Sequence, residues 1–213
     1  DEYITRRWTA KRAIATVLDI DRSPGALARI EVRHRPSGAP YVQVDGGPAN
    51  LDVSMSDRSG WAVCLVGPPG AATSGTVGVD LEVVEPRTAG FVADYFTAAE
   101  REHVARLAAD RHHEVANLIW SAKEAALKVQ QVGLRVDTRT VDVDLHGDRE
   151  IDGWSSMTIM GSDGPIPGWW RRFGVFVLTI AFAEPAEPPH LLPGAGDLGA
   201  ATPSHTWVES PIC

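Results

Sequence analysis

Lysine, cysteine and long apolar runs are all scarce in this sequence. Of its 20 basic residues only three are lysine, Lys11, Lys123 and Lys128, and the other 17 are arginine. The two cysteines, Cys64 and Cys213, are too few for a disulfide framework or a zinc site, so we expect a reducing, cytoplasmic setting. No apolar stretch approaches the roughly 20 residues that cross a membrane. We therefore expect no membrane-spanning segment and no membrane partner.

Charge and composition narrow the function classes further. The formal net charge is −8, which argues against nonspecific nucleic-acid binding, because such binding needs a basic surface. A hydrophobic content of 44% in 213 residues predicts a packed core, in one domain or two small ones. The first residue is Asp1 rather than Met, and we expect a processed chain or one cut from a longer polypeptide.

Periodicity and turn residues divide the chain into two halves and a tail. We expect an N-terminal α/β half over residues 1–75, a C-terminal α/β half over 76–183, and a tail rich in Pro and Gly over 184–213. Thr97 and Glu100 have the spacing of a helix capping box. The expected helices are residues 6–18, 97–109 and 113–130, and the expected strands are residues 29–33, 41–44, 61–66, 77–84, 140–145, 156–160 and 175–183.

A short internal repeat suggests that the halves are related. Residues 8–13, WTAKRA, match residues 120–125, WSAKEA, and each copy lies on an expected helix that strands follow. Glu124 of the second copy aligns with Arg12 of the first, so only the second copy has a carboxylate at this position.

Two carboxylates are expected to share one face of a strand. Asp80 and Glu82 are two residues apart, so their side chains leave the strand on the same side. Two such charges about 4 Å apart repel by roughly 4 kcal/mol at an effective dielectric of 20, and they need a cation, a shared proton or exposure to water. On these two residues alone, a solvated strand end is the preferred explanation.

The expected helix of residues 113–130 favours a bound cation as the explanation for the two carboxylates. Asn117, Ser121, Glu124 and Lys128 form one polar stripe on it. A structural ion pair between Glu124 and Lys128 is the simpler alternative, but it does not explain why two of three lysines lie here. Carboxylates without nearby His or Cys suit Mg²⁺, which combines one or two carboxylates with water and substrate phosphates. An adjacent lysine suits a phosphate group.

Three ordered segments resemble the signatures of 4′-phosphopantetheinyl transferases. They are GVDLE at residues 78–82, FTAAE at 96–100 and WSAKEAALK at 120–128. Upstream, RPSGAP at residues 35–40 and VSMS at 53–56 are similar to two earlier signatures of the surfactin-synthetase type. The resemblance covers roughly residues 6–183.

The resemblance implies both a fold and a reaction. The fold is α+β, with two similar α/β subdomains related by a pseudo-twofold axis and coenzyme A in the cleft between them, so that a monomer acts as a pseudo-dimer. In the reaction, a serine of an acyl or peptidyl carrier protein attacks the β-phosphate of coenzyme A. The 4′-phosphopantetheine arm moves to the serine and 3′,5′-ADP leaves.

The resemblance also implies a role for each matching residue. Asp80, Glu82 and Glu124 would hold Mg²⁺, with Mn²⁺ as an alternative, and Glu124 would take the serine proton. Lys128 would bind the diphosphate with help from Lys123. The expected coenzyme A contacts are Arg6, Arg7, Lys11, Ser37, Gly38, Pro40, Ser54, Met55 and Arg58.

Two departures from the family pattern bear on function. Met55 stands where the family usually has a phosphate-binding His, so we expect weaker coenzyme A binding or replacement of that contact by Arg58. Only a few residues precede Trp8, which points to a domain of a larger synthase whose own carrier domain is the substrate. The fused transferase domains of enediyne-type polyketide synthases are the most similar group by this criterion.

Two other functions compete with the transferase. A catalytically decayed module that binds coenzyme A or a carrier protein is favoured by Met55 but opposed by the intact acidic residues and Lys128. A metal-dependent nuclease would share the carboxylates, but the sequence lacks a basic surface with interleaved aromatic residues.

Overall fold

The computed structural model describes residues 2–70, 75–145 and 147–206. The expected tail therefore lies partly outside the described residues, as do Cys213 and Trp207, the tryptophan that the sequence suggests as an anchor for the tail. The described chain contains five α-helices: α1 (Glu2–Val17), α2 (Pro24–Ala28), α3 (Ala89–Tyr95), α4 (Ala98–Arg106) and α5 (Ala109–Val129).

Antiparallel strands form three sheets in the described chain. The first has the order β1-β2-β3, the second pairs β4 with β5, and the third has the order β6-β11-β10-β9-β7 with β8 also on β9. The strands are β1 (Ile30–His34), β2 (Pro40–Val44), β3 (Gly47–Pro48), β4 (Asp52–Arg58), β5 (Trp61–Gly67), β6 (Val77–Val83), β7 (Asp142–Asp144), β8 (Glu150–Ile151), β9 (Trp154–Gly161), β10 (Gly164–Phe173) and β11 (Phe176–Phe182).

The large sheet is covered on both faces, which makes its edge strand β6 buried along its whole length. One face packs against the apolar side of α5, and the other carries Val79, Leu81 and the aromatic residues of β9–β11. The N-terminal half has a separate core around Ile14 of α1. Because side chains alternate along a strand, β6 directs Asp80 and Glu82 towards α5 and its valines to the opposite side.

Close approach of α5 to β6 depends on a glycine. A Cβ atom on Gly78 would lie 1.9 Å from the carbonyl oxygen of Ala125. No side chain fits this space, so the helix that bears Glu124 is seated directly on the strand that bears Asp80.

Gly78→Ala is expected to lower the free energy of unfolding by about 1–3 kcal/mol, because the added methyl overpacks the contact with α5. Urea denaturation of the purified chain measures the change. Gly25→Ala is the matched control, since nothing lies within 4 Å of a Cβ at Gly25. Equal stability of the two variants would contradict the close packing of α5 on β6.

Two serines of β4 join the small sheet to β6. The hydroxyl of Ser54 accepts a hydrogen bond from the backbone N–H of Val79 at 3.0 Å. The hydroxyl of Ser56 accepts one from the N–H of Leu81 at 3.2 Å. Side-chain oxygens thus satisfy backbone donors of β6 that would otherwise be unpaired and buried.

The expected elements agree with the structure at α1, α4, α5 and most strands, whose bounds differ by a few residues. The capping box is present, since Thr97 and Glu100 bond each other's backbone N–H groups. Strands β4 and β10 and the short helices α2 and α3 are absent from the sequence-based expectation. Residues 169–172, WWRR, belong to β10, where Trp169 is buried and donates to the carbonyl of Ala186.

The part of the tail that the structure describes crosses both halves. Residues 184–206 contact the large sheet through Ala186, and they contact the N-terminal half through Trp61 Nε1, which donates to the Thr202 carbonyl at 3.2 Å. Ser59 Oγ donates to the carbonyl of His205 at 2.7 Å. Of the helices described here, none is both long and apolar enough to cross a membrane.

Candidate active site

Asp80 lies at the centre of the polar contacts between β6 and α5 and is only 5% exposed. Its Oδ1 accepts hydrogen bonds from Ser56 Oγ at 2.9 Å and from Lys128 Nζ at 2.8 Å. Its Oδ2 is buried and has no hydrogen-bond partner in the described chain. A buried carboxylate oxygen without a partner is costly, so this atom is suited to a ligand such as a cation.

Glu82 is held by cations and by an indole. Its Oε2 lies 3.1 Å from Arg58 Nε and 3.0 Å from Arg87 Nη2, and its Oε1 accepts from Trp120 Nε1 at 3.0 Å. Burial and the charge of Asp80 raise the pKa of Glu82 to about 7, against the opposing effect of the two guanidinium groups. Both carboxylate oxygens are therefore engaged within the protein.

Glu124, unlike Glu82, is not held by neighbouring side chains. It is half-buried on α5 and forms no hydrogen bond with the described residues. Burial and the nearby charge of Asp80 raise its pKa to about 7, while Lys128 acts to lower it. A carboxylate that is free of partners and close to Asp80 can bind a cation or accept a proton.

The metal site expected from Asp80, Glu82 and Glu124 stays a prediction. Within the ranges the structure describes, no three His, Cys, Asp or Glu side chains are grouped so that they could hold a metal ion. Arg58 and Arg87 bind Glu82 Oε2, whereas Asp80 Oδ2 and the Glu124 carboxylate have no hydrogen-bond partner among the described residues. Asp80 and Glu124 remain as the two carboxylates suited to a cation.

A cleft of about 590 Å³ opens beside this cluster. Lys128 links the two, because it lines the cleft while its Nζ donates to Asp80 Oδ1 at 2.8 Å and to the Val79 carbonyl at 2.9 Å. Residues of both halves line the cleft. Six of the nine coenzyme A contacts expected from the sequence are among them: Arg6, Ser37, Gly38, Pro40, Ser54 and Met55.

Residues 76–153 match the family model of the 4′-phosphopantetheinyl transferase superfamily. The matched segment contains Asp80, Glu82, Glu124 and Lys128, and the match supports a phosphopantetheine transferase function in general terms. The search of curated proteins found no match to the chain.

Three expected coenzyme A contacts lie outside the cleft lining. Lys11 Nζ donates to the Leu27 carbonyl at 3.0 Å, so it supports the N-terminal half. Arg7 lies against the Tyr3 ring and reaches His34, with 3.4 Å between Arg7 Nη2 and His34 Nδ1. His34 itself lines the cleft. Arg7 therefore contacts a residue of the cleft lining, His34, but does not line the cleft itself. Lys11 does not line the cleft either.

Arg58 does not replace the contact that Met55 lacks. Met55 lines the cleft, but Arg58 is buried and forms ion pairs with Glu82 and Glu85. Moving it would leave two buried carboxylates without that cation, which is strongly unfavourable.

Lys123, which the sequence analysis expected to assist Lys128, lies apart from the candidate active site. Its side chain is 0% exposed and its Nζ lies 2.8 Å from Glu100 Oε2. It also donates to the carbonyls of Thr138 at 3.0 Å and Val141 at 2.6 Å. It lies on a different face of α5 from Glu124 and Lys128, so we assign it to structure.

Three residues of the site escaped prediction from the sequence. Ser56 orients Asp80, Arg87 binds Glu82 and the Oδ1 of Asn117, and Arg135 donates to the carbonyls of Pro36 and Ser37 across the cleft. Of these three, only Ser56 could have been found from the sequence, because it is the last residue of the VSMS segment. The arginines act through contacts that depend on the fold.

Proposed function

We propose that this chain transfers the 4′-phosphopantetheine arm of coenzyme A to a serine of an acyl or peptidyl carrier protein. The observation that carries the proposal is the position of Lys128, which lines the cleft and also binds Asp80. A diphosphate seated against its ammonium group would extend along the cleft towards Ser37 and Gly38, with Arg6 at the N-terminal wall. The size of the cleft falls in the range of ligand pockets, about 300–1,000 Å³.

The proposed chemistry is a displacement at the β-phosphorus of coenzyme A. The serine oxygen forms a bond to this phosphorus, the bond to the leaving 3′,5′-ADP oxygen breaks, and the serine proton goes to Glu124 directly or through water. Lys128 stabilises charge on the diphosphate as the bond breaks. Glu124 is assigned as the base because, of Asp80, Glu82 and Glu124, it is the one that forms no hydrogen bond with the described residues.

Mg²⁺, with Mn²⁺ as an alternative, fits part of the expected ligand set. The unpartnered Asp80 Oδ2 and the unbonded Glu124 would hold it. Two carboxylates with water and phosphate oxygens are a usual set for this ion. Glu82 Oε2 is bound by Arg58 and Arg87, but Oε1 has one donor, Trp120, so Glu82 would join them through the second lone pair of Oε1. When bound, the ion would neutralise charge on the diphosphate.

We also propose the finer classification that the sequence suggested. The chain would be of the surfactin-synthetase type, with halves at residues 1–75 and 76–183 related by a pseudo-twofold axis and followed by the 184–213 tail. Supporting this, Lys11 and Lys123 occupy equal places in the internal repeat, and each donates to a carbonyl that follows its own helix. The substrate would be a carrier domain of the same cytoplasmic polypeptide, as in enediyne-type synthases.

A transfer assay tests the function. The chain is incubated with coenzyme A, Mg²⁺ and an apo carrier protein, and intact-protein mass spectrometry then follows the carrier. We expect a mass gain of one phosphopantetheine, which depends on Mg²⁺ and on the carrier serine. No gain with several carriers, including those of related synthases, would contradict the proposal.

The second candidate is a module that binds coenzyme A without transferring its arm. Met55 at the cleft and the engagement of both Glu82 oxygens favour it. Retained coenzyme A binding in a titration, without mass gain on any carrier, would support this module in place of the transferase.

Met55→His is expected to lower the Michaelis constant for coenzyme A by about tenfold. An imidazole donates a hydrogen bond to a phosphate and a thioether cannot, and hydrogen bonds to charged groups contribute about 1.5–3 kcal/mol. Steady-state kinetics with varied coenzyme A measures the effect. Met160→His is the control, because Met160 is 48% exposed on β9. An unchanged Michaelis constant for Met55→His would show that position 55 does not contact the cofactor.

A further inference from the structure

A second cavity, of about 840 Å³, lies between α1, β5, the outer face of the large sheet and the tail. Its floor is aliphatic, with Val63 and Leu65 of β5 facing Leu178 and Ile180 of β11. Trp8, Trp61 and Trp154 line its walls, and residues 189–198 of the tail run along it. A mainly apolar cavity of this size is typical of sites that bind small molecules.

Two arginines lie together at one end of this cavity. Arg12 Nη2 and Arg22 Nη1 are both within 3.4 Å of the position that a Cβ would occupy on Gly194. Arg22 donates to the Pro193 carbonyl at 3.2 Å, and the Arg12 guanidinium lies over the Trp8 ring. Neither forms an ion pair with a described carboxylate. Two adjacent positive charges beside apolar surface repel each other, and a bound anion relieves that repulsion.

Asp197 is the acidic residue of the cavity lining, but its carboxylate serves the tail itself. Asp197 Oδ1 accepts hydrogen bonds from the N–H groups of Gly199 and Ala200, at 3.0 and 3.2 Å. This carboxylate therefore caps a short turn of the tail, and the arginine end of the cavity keeps its positive charge.

The cavity is separate from the candidate active site. Val79 lines the cavity from one face of β6, whereas Asp80 leaves the other face towards α5. The lining residues of this cavity and those of the cleft are different, so a ligand here would not need to occupy the coenzyme A site.

We propose that this cavity binds an amphipathic anion, an aliphatic chain with one carboxylate head group. The chain would lie on the aliphatic floor and the carboxylate would contact Arg12 and Arg22. Guanidinium groups suit this head group because they bind carboxylates with two parallel hydrogen bonds. The inference does not depend on the proposed transferase function.

The test uses dodecanoate as the probe, with dodecanol and acetate as partial ligands, all below micelle-forming concentrations. Titration is followed by tryptophan fluorescence, since three tryptophans line the cavity. We expect saturable binding of dodecanoate, at least about tenfold weaker binding of dodecanol for want of the charged hydrogen bonds, and none of acetate. Equal affinities for dodecanoate and dodecanol, or displacement of dodecanoate by coenzyme A, would overturn the proposal.

Substitutions of Arg12 and Arg22 test whether these two residues bind the carboxylate head group. Arg12→Gln with Arg22→Gln should weaken dodecanoate binding about tenfold and leave dodecanol binding unchanged. Arg12→Lys with Arg22→Lys retains charge but loses the two parallel hydrogen bonds, so it should weaken dodecanoate binding by less than the glutamine pair does. Arg101→Gln on α4 is the exposed control. Thermal unfolding checks the fold of each variant, and if the glutamine pair fails to fold, the lysine pair still gives the comparison. Unchanged dodecanoate affinity in a folded glutamine pair would refute head-group recognition.

Discussion

Glu124→Gln is expected to lower the rate of phosphopantetheine transfer by about 10²–10⁴-fold, the usual contribution of a general base. The amide cannot accept the serine proton, and it is a poorer partner for a cation beside Asp80. The decrease should appear in kcat, measured as carrier mass gain against time at saturating coenzyme A. Coenzyme A binding, measured by titration, should change much less.

The same substitution should leave the fold intact. Glu124 forms no hydrogen bond with the described residues, and burial and the charge of Asp80 raise its pKa against the opposing effect of Lys128. Removing a charge that repels a buried neighbour costs little, so we expect an unchanged or slightly greater free energy of unfolding. Glu102→Gln on the exposed face of α4, where Glu102 pairs with Arg106, is the control for general charge effects. Full activity of Glu124→Gln would exclude Glu124 as the base.

Lys123→Met is expected to give the largest loss of stability, about 3–5 kcal/mol, because it leaves the buried carboxylate of Glu100 without its cation. Glu100 and Lys123 are both almost fully buried. Burial raises the pKa of Glu100 and lowers that of Lys123, so each charge depends on the other. Urea denaturation measures the free energy of unfolding.

A double variant separates the structural role from a catalytic one. Adding Glu100→Gln to Lys123→Met removes the unpaired charge and should recover part of the lost stability. Lys11→Met is the matched control, since Lys11 bonds one carbonyl and no described carboxylate, and it should cost only about 1 kcal/mol. If Lys123→Met instead kept its stability and lost activity per folded molecule, Lys123 would belong to the reaction.

The fold was predictable where local patterns were strong and failed where neighbouring strands decided the outcome. The capping box and the polar stripe of α5 predicted the two helices of that region, α4 and α5. Strand β10 begins with Gly164, Pro165 and Pro167, which indicate a turn rather than a strand. In the structure both prolines pair only with β9, and pairing with β11 begins at Gly168. Proline is tolerated there because one side of the strand is open.

Strand β4 was missed for a related reason. Its sequence, DVSMSDR, alternates weakly, because Ser54 and Ser56 are polar and yet buried. Their burial is possible only because the backbone N–H groups of β6 bond their hydroxyls. No pattern within the segment could reveal a partner 25 residues away.

The sequence by itself determined which side chains share a face: Asp80 with Glu82 on a strand, and Glu124 with Lys128 on a helix. These relations follow from the repeat of each element and need no distant partner. Only the tertiary structure decided what covers each face. It directs Arg58 and Arg87 to Glu82 and buries Lys123 against Glu100. Such pairings join residues far apart in the chain, because a buried charge is stable only where the fold supplies its partner.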